Sequence, residues 1–240
     1  MKMDKLHVIT PVKDSLETTL VTIESIMSSE CSIDFSYTIY NDYSSDETTQ
    51  ALQDESVKRG FTLVNLKDLT DHPSPNYLLV LQLAQQKAIA EDAHLLIVES
   101  DVILGTNTLQ KMVENVSMHD KVGMVAAVTT DINGKINFPY LYAEKFKSGI
   151  YETKKRLSFC CTILNVKFLK SFDYKLLNPQ KSWYDVFISH KSVELGFSNY
   201  LLTSVPVLHL PHSSRPWKLL KYSNPLKYYW LKITQKRDKI

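Results

Sequence analysis

Apolar residues along the first half of the chain follow two rhythms that alternate. Leu6 to Val12 is an apolar, β-favouring run, and Leu16, Leu20, Ile23 and Met27 then recur at offsets of four, three and four. A strand followed by a helix opened by Asp14 and Ser15 is the expectation. Phe35 to Tyr40 reads as a second strand, and Ser44 with Glu47 as a capping box for a helix running to about Lys58. Thr62 to Leu66 makes a third strand. After the break Asp71-His72-Pro73-Ser74-Pro75, Tyr77 to Glu91 has a helical period through Leu81, Ala84 and Ala88. His94 to Val98 is then a continuous apolar run, as in parallel strands covered on both faces.

The second half is less regular. Leu109, Met112, Val113 and Val116 mark a helix, Val122 to Val128 a strand, and Asp131 to Lys135 a turn around Asn133-Gly134. Trp183 to Leu195 is again helical in period, with Gly196 placed to end it. Strands alternating with helices predict an α/β fold, a mixed but mainly parallel central sheet with helices on both faces. Ligands then belong at the carboxyl ends of the strands. Polar residues gather there: Thr10 and Pro11 close the first strand, Asn41-Asp42-Tyr43-Ser44-Ser45-Asp46 follows the second, and Glu99-Ser100-Asp101 follows the buried run. Acids on such an edge can accept hydrogen bonds from a base or ribose, and Asp101 can hold a hard divalent cation through oxygen.

Composition narrows the field without adding a direction. The 28 basic and 26 acidic residues among 240 leave a formal charge of +2, which gives no reason to expect nucleic acid as the main partner. Cys31, Cys160 and Cys161 form neither a disulfide framework nor a zinc pattern, and packing is the reading for the adjacent pair; a reducing cytoplasm is the expected setting. Neither a signal peptide nor a spanning segment is expected.

Taken in order, the polar segments resemble family 2 of the GT-A glycosyltransferases. HVITPVKDSLETTLVTIESIMSS with YNDYSSDETTQAL is similar to that family's first strand, helix and DDGSSDxT loop, and LLIVESDVILGTNTLQKMVE to the strand carrying its DxD motif. RLSFCCTILNVKFL, SWYDVFISHKSVELGF and VPVLHLPHSS continue the likeness, which covers roughly residues 6 to 214. The resemblance implies a catalytic domain over 1–214 and a donor-nucleotide set of Thr10, Pro11, Asn41, Asp42, Glu99 and Ser100. Asn41 replaces the first aspartate of the usual pair, and Glu99 the first of DxD. Asp101 becomes the contact for Mg2+ or Mn2+, with His209 (His212 as the substitute) reaching the metal or diphosphate. Asp185 matches the general base of an ED motif whose glutamate is here Tyr184.

The implied activity is inverting transfer of a sugar from a nucleotide-diphosphate donor to an acceptor hydroxyl in polysaccharide or cell-surface glycan synthesis. A UDP-sugar is the expected donor, because Asp42 can accept the uracil N3 proton. The acceptor is a glycan, a lipid-linked species or another hydroxyl compound. A sugar-nucleotide-binding protein without turnover is the alternative that Asn41 and Tyr184 keep open. A sugar-1-phosphate nucleotidyltransferase ranks lower, since Thr10 to Glu17 lacks its glycine-rich basic loop. Neither GxGxxG nor a P-loop is present. The tail, 215–240, interleaves basic residues with Trp217, Tyr228, Tyr229 and Trp230; it reads equally as a membrane-peripheral segment at the inner leaflet or as a helix packed on the core.

Overall fold

The alternating runs become strands and helices close to where their rhythm places them. The structure, a computed structural model, describes residues 5–210 and 224–234. β1 (Lys5–Val12), α1 (Leu16–Met27), β2 (Phe35–Asn41), α2 (Asp46–Arg59), β3 (Thr62–Asn65), α3 (Tyr77–Glu91) and β4 (Ala93–Val98) form the repetitive first half. The second half holds β5 (Val102–Ile103), α4 (Thr108–Val116), β6 (Val122–Thr130), β7 (Ile150–Glu152), β8 (Cys161–Leu164), α5 (Val166–Ser171), α6 (Tyr184–Glu194), β9 (Ser198–His209) and α7 (Pro225–Thr234). His212, and the tail residues 215–223 and 235–240, lie outside the described residues.

Among the described residues, all the strands join one nine-stranded sheet in the order β3-β2-β1-β4-β8-β6-β9-β5, with β7 paired to β9. The first four run parallel, as continuous apolar strands with helical crossovers must. β8 then enters antiparallel between β4 and β6, β6 and β9 are parallel, and β5 and β7 run against β9. The sheet is therefore mixed, its parallel half carrying the crossovers. Side chains alternate across it. In β4, Leu96 and Val98 pack with Ile23, Leu52 and Met112 from α1, α2 and α4, while Leu95 and Ile97 pack with Leu81, Phe168 and Ile188 from α3, α5 and α6. Each such fully buried Leu or Ile contributes about 1.5–3 kcal/mol over exposure, so register is strongly fixed at the strand that leads into Glu99.

One boundary differs from the sequence pattern. The cap of α2 is Ser45, whose hydroxyl accepts from Thr48 N, rather than Ser44. Asp14 and Ser15 both take φ 55°, turning the chain after β1 back toward the β2–α2 loop. There Ser44 Oγ accepts from Asp14 N, and Asp14 Oδ1 accepts from Ser45 N, each at 2.8 Å. Ser44 is thus spent tying two strand-end loops together, and the cap falls to its neighbour. The Asn133-Gly134 turn forms as expected, with Gly134 at φ 75°. Among the described residues, no helix is long and apolar enough to cross a membrane.

Candidate active site

β5 is only two residues long, yet it determines which side chains meet. Val102 pairs with His209 and Ile103 with Leu208, and Leu210 N donates to Asp101 O at 2.9 Å. The turn after β4, closed by Val102 N donating to Glu99 O, is thereby fastened to the end of β9. Asp101 Oδ2 consequently lies 3.7 Å from His209 Nε2, and both side chains are almost wholly removed from solvent.

The tautomer of His209 follows from its other nitrogen. Nδ1 lies 3.0 Å from the carbonyl oxygen of Phe138, which can only accept, so Nδ1 carries a proton. Nε2 is then the ring nitrogen that faces the Asp101 carboxylate. A carbonyl holding Nδ1–H while Nε2 faces an acid is the usual way of orienting a metal-ligating histidine. Asn137 Nδ2 donates to His209 O at 3.1 Å and steadies the same residue. Oxygen and imidazole donors of this kind suit a divalent ion.

Glu99 is the next donor along. Its backbone N donates to Cys160 O at 3.0 Å, and its Oε2 accepts from Cys160 Sγ at 3.2 Å. Donor atoms of Glu99, Cys160 and His209 all lie within 4.8 Å of one another. Burial, and next the charge of Glu99, keep the Cys160 thiol well above its ordinary range.

Asp185 stands in the first turn of α6, its Oδ1 accepting from Val186 N at 2.8 Å. Burial raises its carboxyl above the usual aspartate value; Arg156 and the Val186 N–H oppose that, while the charge of Glu99 adds to it. That influence of Glu99 connects α6 electrostatically with the turn after β4. Arg156 Nη1 is 3.5 Å from Asp185 Oδ2, and the guanidinium lies over the rings of Phe138 and Trp183 at 5.6 and 5.3 Å. Tyr184, beside Asp185 in sequence, is buried, with its ring in the α3–α5–α6 core. The two neighbours on one helix turn thus diverge, Tyr184 into the core and Asp185 toward Arg156.

The β1–β2 edge is more heavily committed to structure. Thr10 is buried, its Oγ1 accepting from Tyr37 OH at 2.9 Å, and Pro11 beside it is half-buried. Asn41 Nδ2 donates to Thr49 Oγ1 and Asn65 Oδ1, each at 2.9 Å, and its Oδ1 accepts from Ser44 N. Asn41 therefore shapes the loop from inside. Asp42 accepts from Ser74 Oγ at 2.7 Å, Asn76 N at 2.9 Å and Asn76 Nδ2 at 2.8 Å. A carboxylate has about four acceptor sites, so roughly one remains for a ligand. Ser100, half-buried, follows Glu99 in the turn.

Three residues enter the site that the sequence pattern does not single out. Arg156 and Cys160 belong to the irregular stretch before β8, where nothing periodic marks them. Tyr77 opens α3, and its buried hydroxyl has no hydrogen-bond partner among the described residues; burial, then the charges of Glu99 and Asp185, raise its phenol. A groove of about 470 Å³ is lined by Tyr142, Phe146 and Tyr151 with Glu152, Lys154 and Lys155, and Lys155 Nζ lies 4.1 Å from the centre of the Tyr142 ring. Lys155 precedes in sequence the Arg156 that pairs with Asp185.

No family model matches the sequence, and no curated protein does. Solved structures do match by fold. S. aureus TarS 1-349 in complex with UDP-GlcNAc superposes with a TM-score of 0.66 at 18% identity over 87% of this chain and 59% of that one. The mannosyltransferase PcManGT from Pyrobaculum calidifontis, with GDP-Man and Mn2+, gives 0.64 at 14% identity over 95% and 64%. GalNAc-T7 with UDP, GalNAc and Mn2+ gives 0.63 at 12% over 88% and 44%. The chain spans less than two thirds of each of these proteins. The fold is that of the GT-A glycosyltransferases, a Rossmann-like sheet with helices on both faces.

Proposed function

We propose that this chain is a metal-dependent, inverting glycosyltransferase of family 2, which moves a sugar from a nucleotide-diphosphate donor onto an acceptor hydroxyl. The observation that carries the reading is the approach of His209 Nε2 to Asp101 Oδ2 at 3.7 Å, with the Phe138 carbonyl fixing the imidazole so that Nε2 faces the acid. Asp101 and His209 are the residues to hold Mn2+ or Mg2+. When bound, the ion neutralises charge that grows on the departing diphosphate.

In this reading Thr10 and Pro11 form the floor of the nucleotide pocket, Asn41 sets the loop above it, and Asp42 offers its remaining acceptor site to the base. Glu99 and Ser100 face the ribose. A uridine donor is favoured because the free acceptor site of Asp42 matches a ring N–H. The similar proteins carry UDP, UDP-GlcNAc or GDP-Man, which supports a nucleotide-sugar donor.

Asp185 takes the acceptor hydroxyl's proton as attack proceeds. Its raised carboxyl makes it a better base than a solvated aspartate, and general-base help of this kind is typically worth about 10²–10⁴ in rate. Arg156 holds it in place. The groove of Tyr142, Phe146 and Tyr151 receives the acceptor, offering aromatic faces flanked by lysines. We assign the product to polysaccharide or cell-surface glycan synthesis, and α7 to contact with an anionic membrane surface, since Leu226, Tyr229 and Trp230 are exposed on it.

The test is a panel of UDP-, GDP- and dTDP-sugars offered to the purified chain with Mn2+, followed by donor hydrolysis and calorimetric binding. Binding and turnover of one donor are expected, both lost on chelation. Binding without hydrolysis or transfer would favour a sugar-nucleotide-binding protein, and no binding at all would sink the reading.

A further inference from the structure

Cys160 has no role in the reaction so far, yet its position is among the most constrained in the site. Val98 pairs with Cys161 across the β4–β8 ladder, and Glu99 N donates to Cys160 O. The sheet itself therefore sets Cys160 opposite Glu99, and the thiol reaches Glu99 Oε2 at 3.2 Å. On the other side, His209 is held by two bonds from the Asn137–Phe138 segment, one at each end of the residue. Sulfur, carboxylate oxygen and imidazole nitrogen, brought by three different strand ends, fall within 4.8 Å of one another. Donors to one ion, at about 2.0–2.3 Å from it, sit up to roughly 4.4 Å apart, and the spread found here is close to that limit.

We propose that Cys160 supplies a sulfur ligand, and Glu99 an oxygen ligand, to the cation held by His209, whose Nε2 lies 3.7 Å from Asp101 Oδ2. The site then combines oxygen, nitrogen and sulfur donors and takes borderline-soft divalent ions such as Co2+ or Zn2+ in preference to Mg2+. The inference rests on the metal-dependent reading above and deepens it. Mg2+ is bound through oxygen and gives up its water reluctantly, whereas thiolate and imidazole favour the later divalent metals. Uptake of the ion releases the thiol proton to solvent. The bland reading of the same geometry is a thiol that merely hydrogen-bonds Glu99. The two differ in one observable, the presence of sulfur in the metal's coordination shell.

Cobalt titration of the chelator-stripped, full-length chain distinguishes them without a known donor or acceptor. A near-ultraviolet sulfur-to-cobalt charge-transfer band is expected, saturating at one ion per chain. Cys160→Ser loses the band and binds Co2+ more weakly, by at least about 10-fold, the lower end of what even indirect perturbation of a metal site costs. Cys31→Ser keeps the band. Should Cys160→Ser fail to fold, X-ray absorption at the zinc edge of the unaltered protein serves instead; one sulfur at about 2.3 Å beside nitrogen and oxygen at about 2.0–2.1 Å is expected. A shell of oxygen and nitrogen alone, or a charge-transfer band that survives Cys160→Ser, overturns the proposal. Failure to bind any divalent ion while a nucleotide sugar is still turned over also overturns it, leaving the transferase reading in place without its metal. A cobalt–sulfur band in a chain that turns over no donor does the reverse.

Discussion

Asp101 and His209 meet because the two residues of β5 pair with the last two of β9, so a carboxylate and an imidazole from distant parts of the chain face each other at 3.7 Å. If they share a cation, loss of either is felt in metal affinity before anything else. Asp101→Asn and His209→Ala are each expected to weaken Mn2+ binding by at least about 10-fold and to lower transfer by about 10²–10³. Isothermal titration with Mn2+ measures the first effect. Unchanged affinity in both variants would count against the assignment.

The Arg156–Asp185 pair predicts a pH dependence with a definite sign. Burial raises the Asp185 carboxyl, and Arg156 works against that rise. A base is active when deprotonated, so the acid limb of kcat/KM lies above the ordinary aspartate range. Removing the guanidinium in Arg156→Gln takes away the strongest opposition to burial and moves the limb to higher pH. A pH–rate profile of both proteins checks the direction. Asp185→Asn retains donor binding and loses transfer by about 10²–10⁴.

His7 sets a stability trend that is independent of the site. It is fully buried in β1, bonded to Ser36 Oγ, with its pKa lowered from 6.5 to about 3, first by burial and then by Lys87. Between those values the unfolded chain binds a proton that the folded chain refuses. Stability is therefore complete above pH 6.5 and falls as pH drops through the window, with a slope of at most about 1.4 kcal/mol per pH unit. Urea midpoints between pH 7 and pH 5 measure it, and His7→Phe should flatten that part of the curve.

Gly123 in β6 predicts the opposite of a tolerant position. A Cβ there would lie 2.0 Å from Ser192 Oγ, 2.8 Å from Phe197 Cβ and 3.0 Å from Asn199 Oδ1. Ser192 belongs to α6, the helix that carries Asp185, and its hydroxyl donates to Asn199 Oδ1 at 2.7 Å. Gly123→Ala is expected to cost about 1–3 kcal/mol, read from urea denaturation, and to disturb the seat of α6.

Much of the frame was open to inspection in the sequence because it is local. β1, β2, β4 and α3 carry either an unbroken apolar run or a clear helical period, and they form within a residue or two of where those patterns place them. β5, β7 and β8 are two to four residues long and owe their existence to partners far along the chain, so no periodicity could mark them. The same division runs through the site. Glu99, Ser100 and Asp101 stand where a buried strand ends, and position alone draws attention to them. Arg156 and Cys160 lie within RLSFCCTILNVKFL, but their partners, Asp185 on α6 and Glu99 after β4, are set by tertiary packing, which composition and spacing do not encode. The shift of the α2 cap from Ser44 to Ser45 is of this kind too, since Ser44 answers to Asp14 on another loop.

The membrane assignment of α7 is tested separately. Leu226, Tyr229 and Trp230 are 86%, 51% and 63% exposed, while Tyr228 is buried. Co-sedimentation with phosphatidylserine vesicles, falling as salt rises, is expected, and Leu226→Ser with Trp230→Ala should abolish it. Equal recovery with zwitterionic vesicles would speak against an electrostatic contribution.

The short antiparallel contact of β5 with β9 also bears on how the molecule matures. On the proposed metal site Asp101 stands on the turn after β4 and His209 at the end of β9, so both halves of the cation's grip exist only once β9 lies beside β6. An ion that recognises both halves binds the finished chain and ignores its precursors, so loading with metal acts as a late lock. Its effect on the melting temperature should therefore climb with metal concentration and disappear when the strand-to-strand clasp is cut.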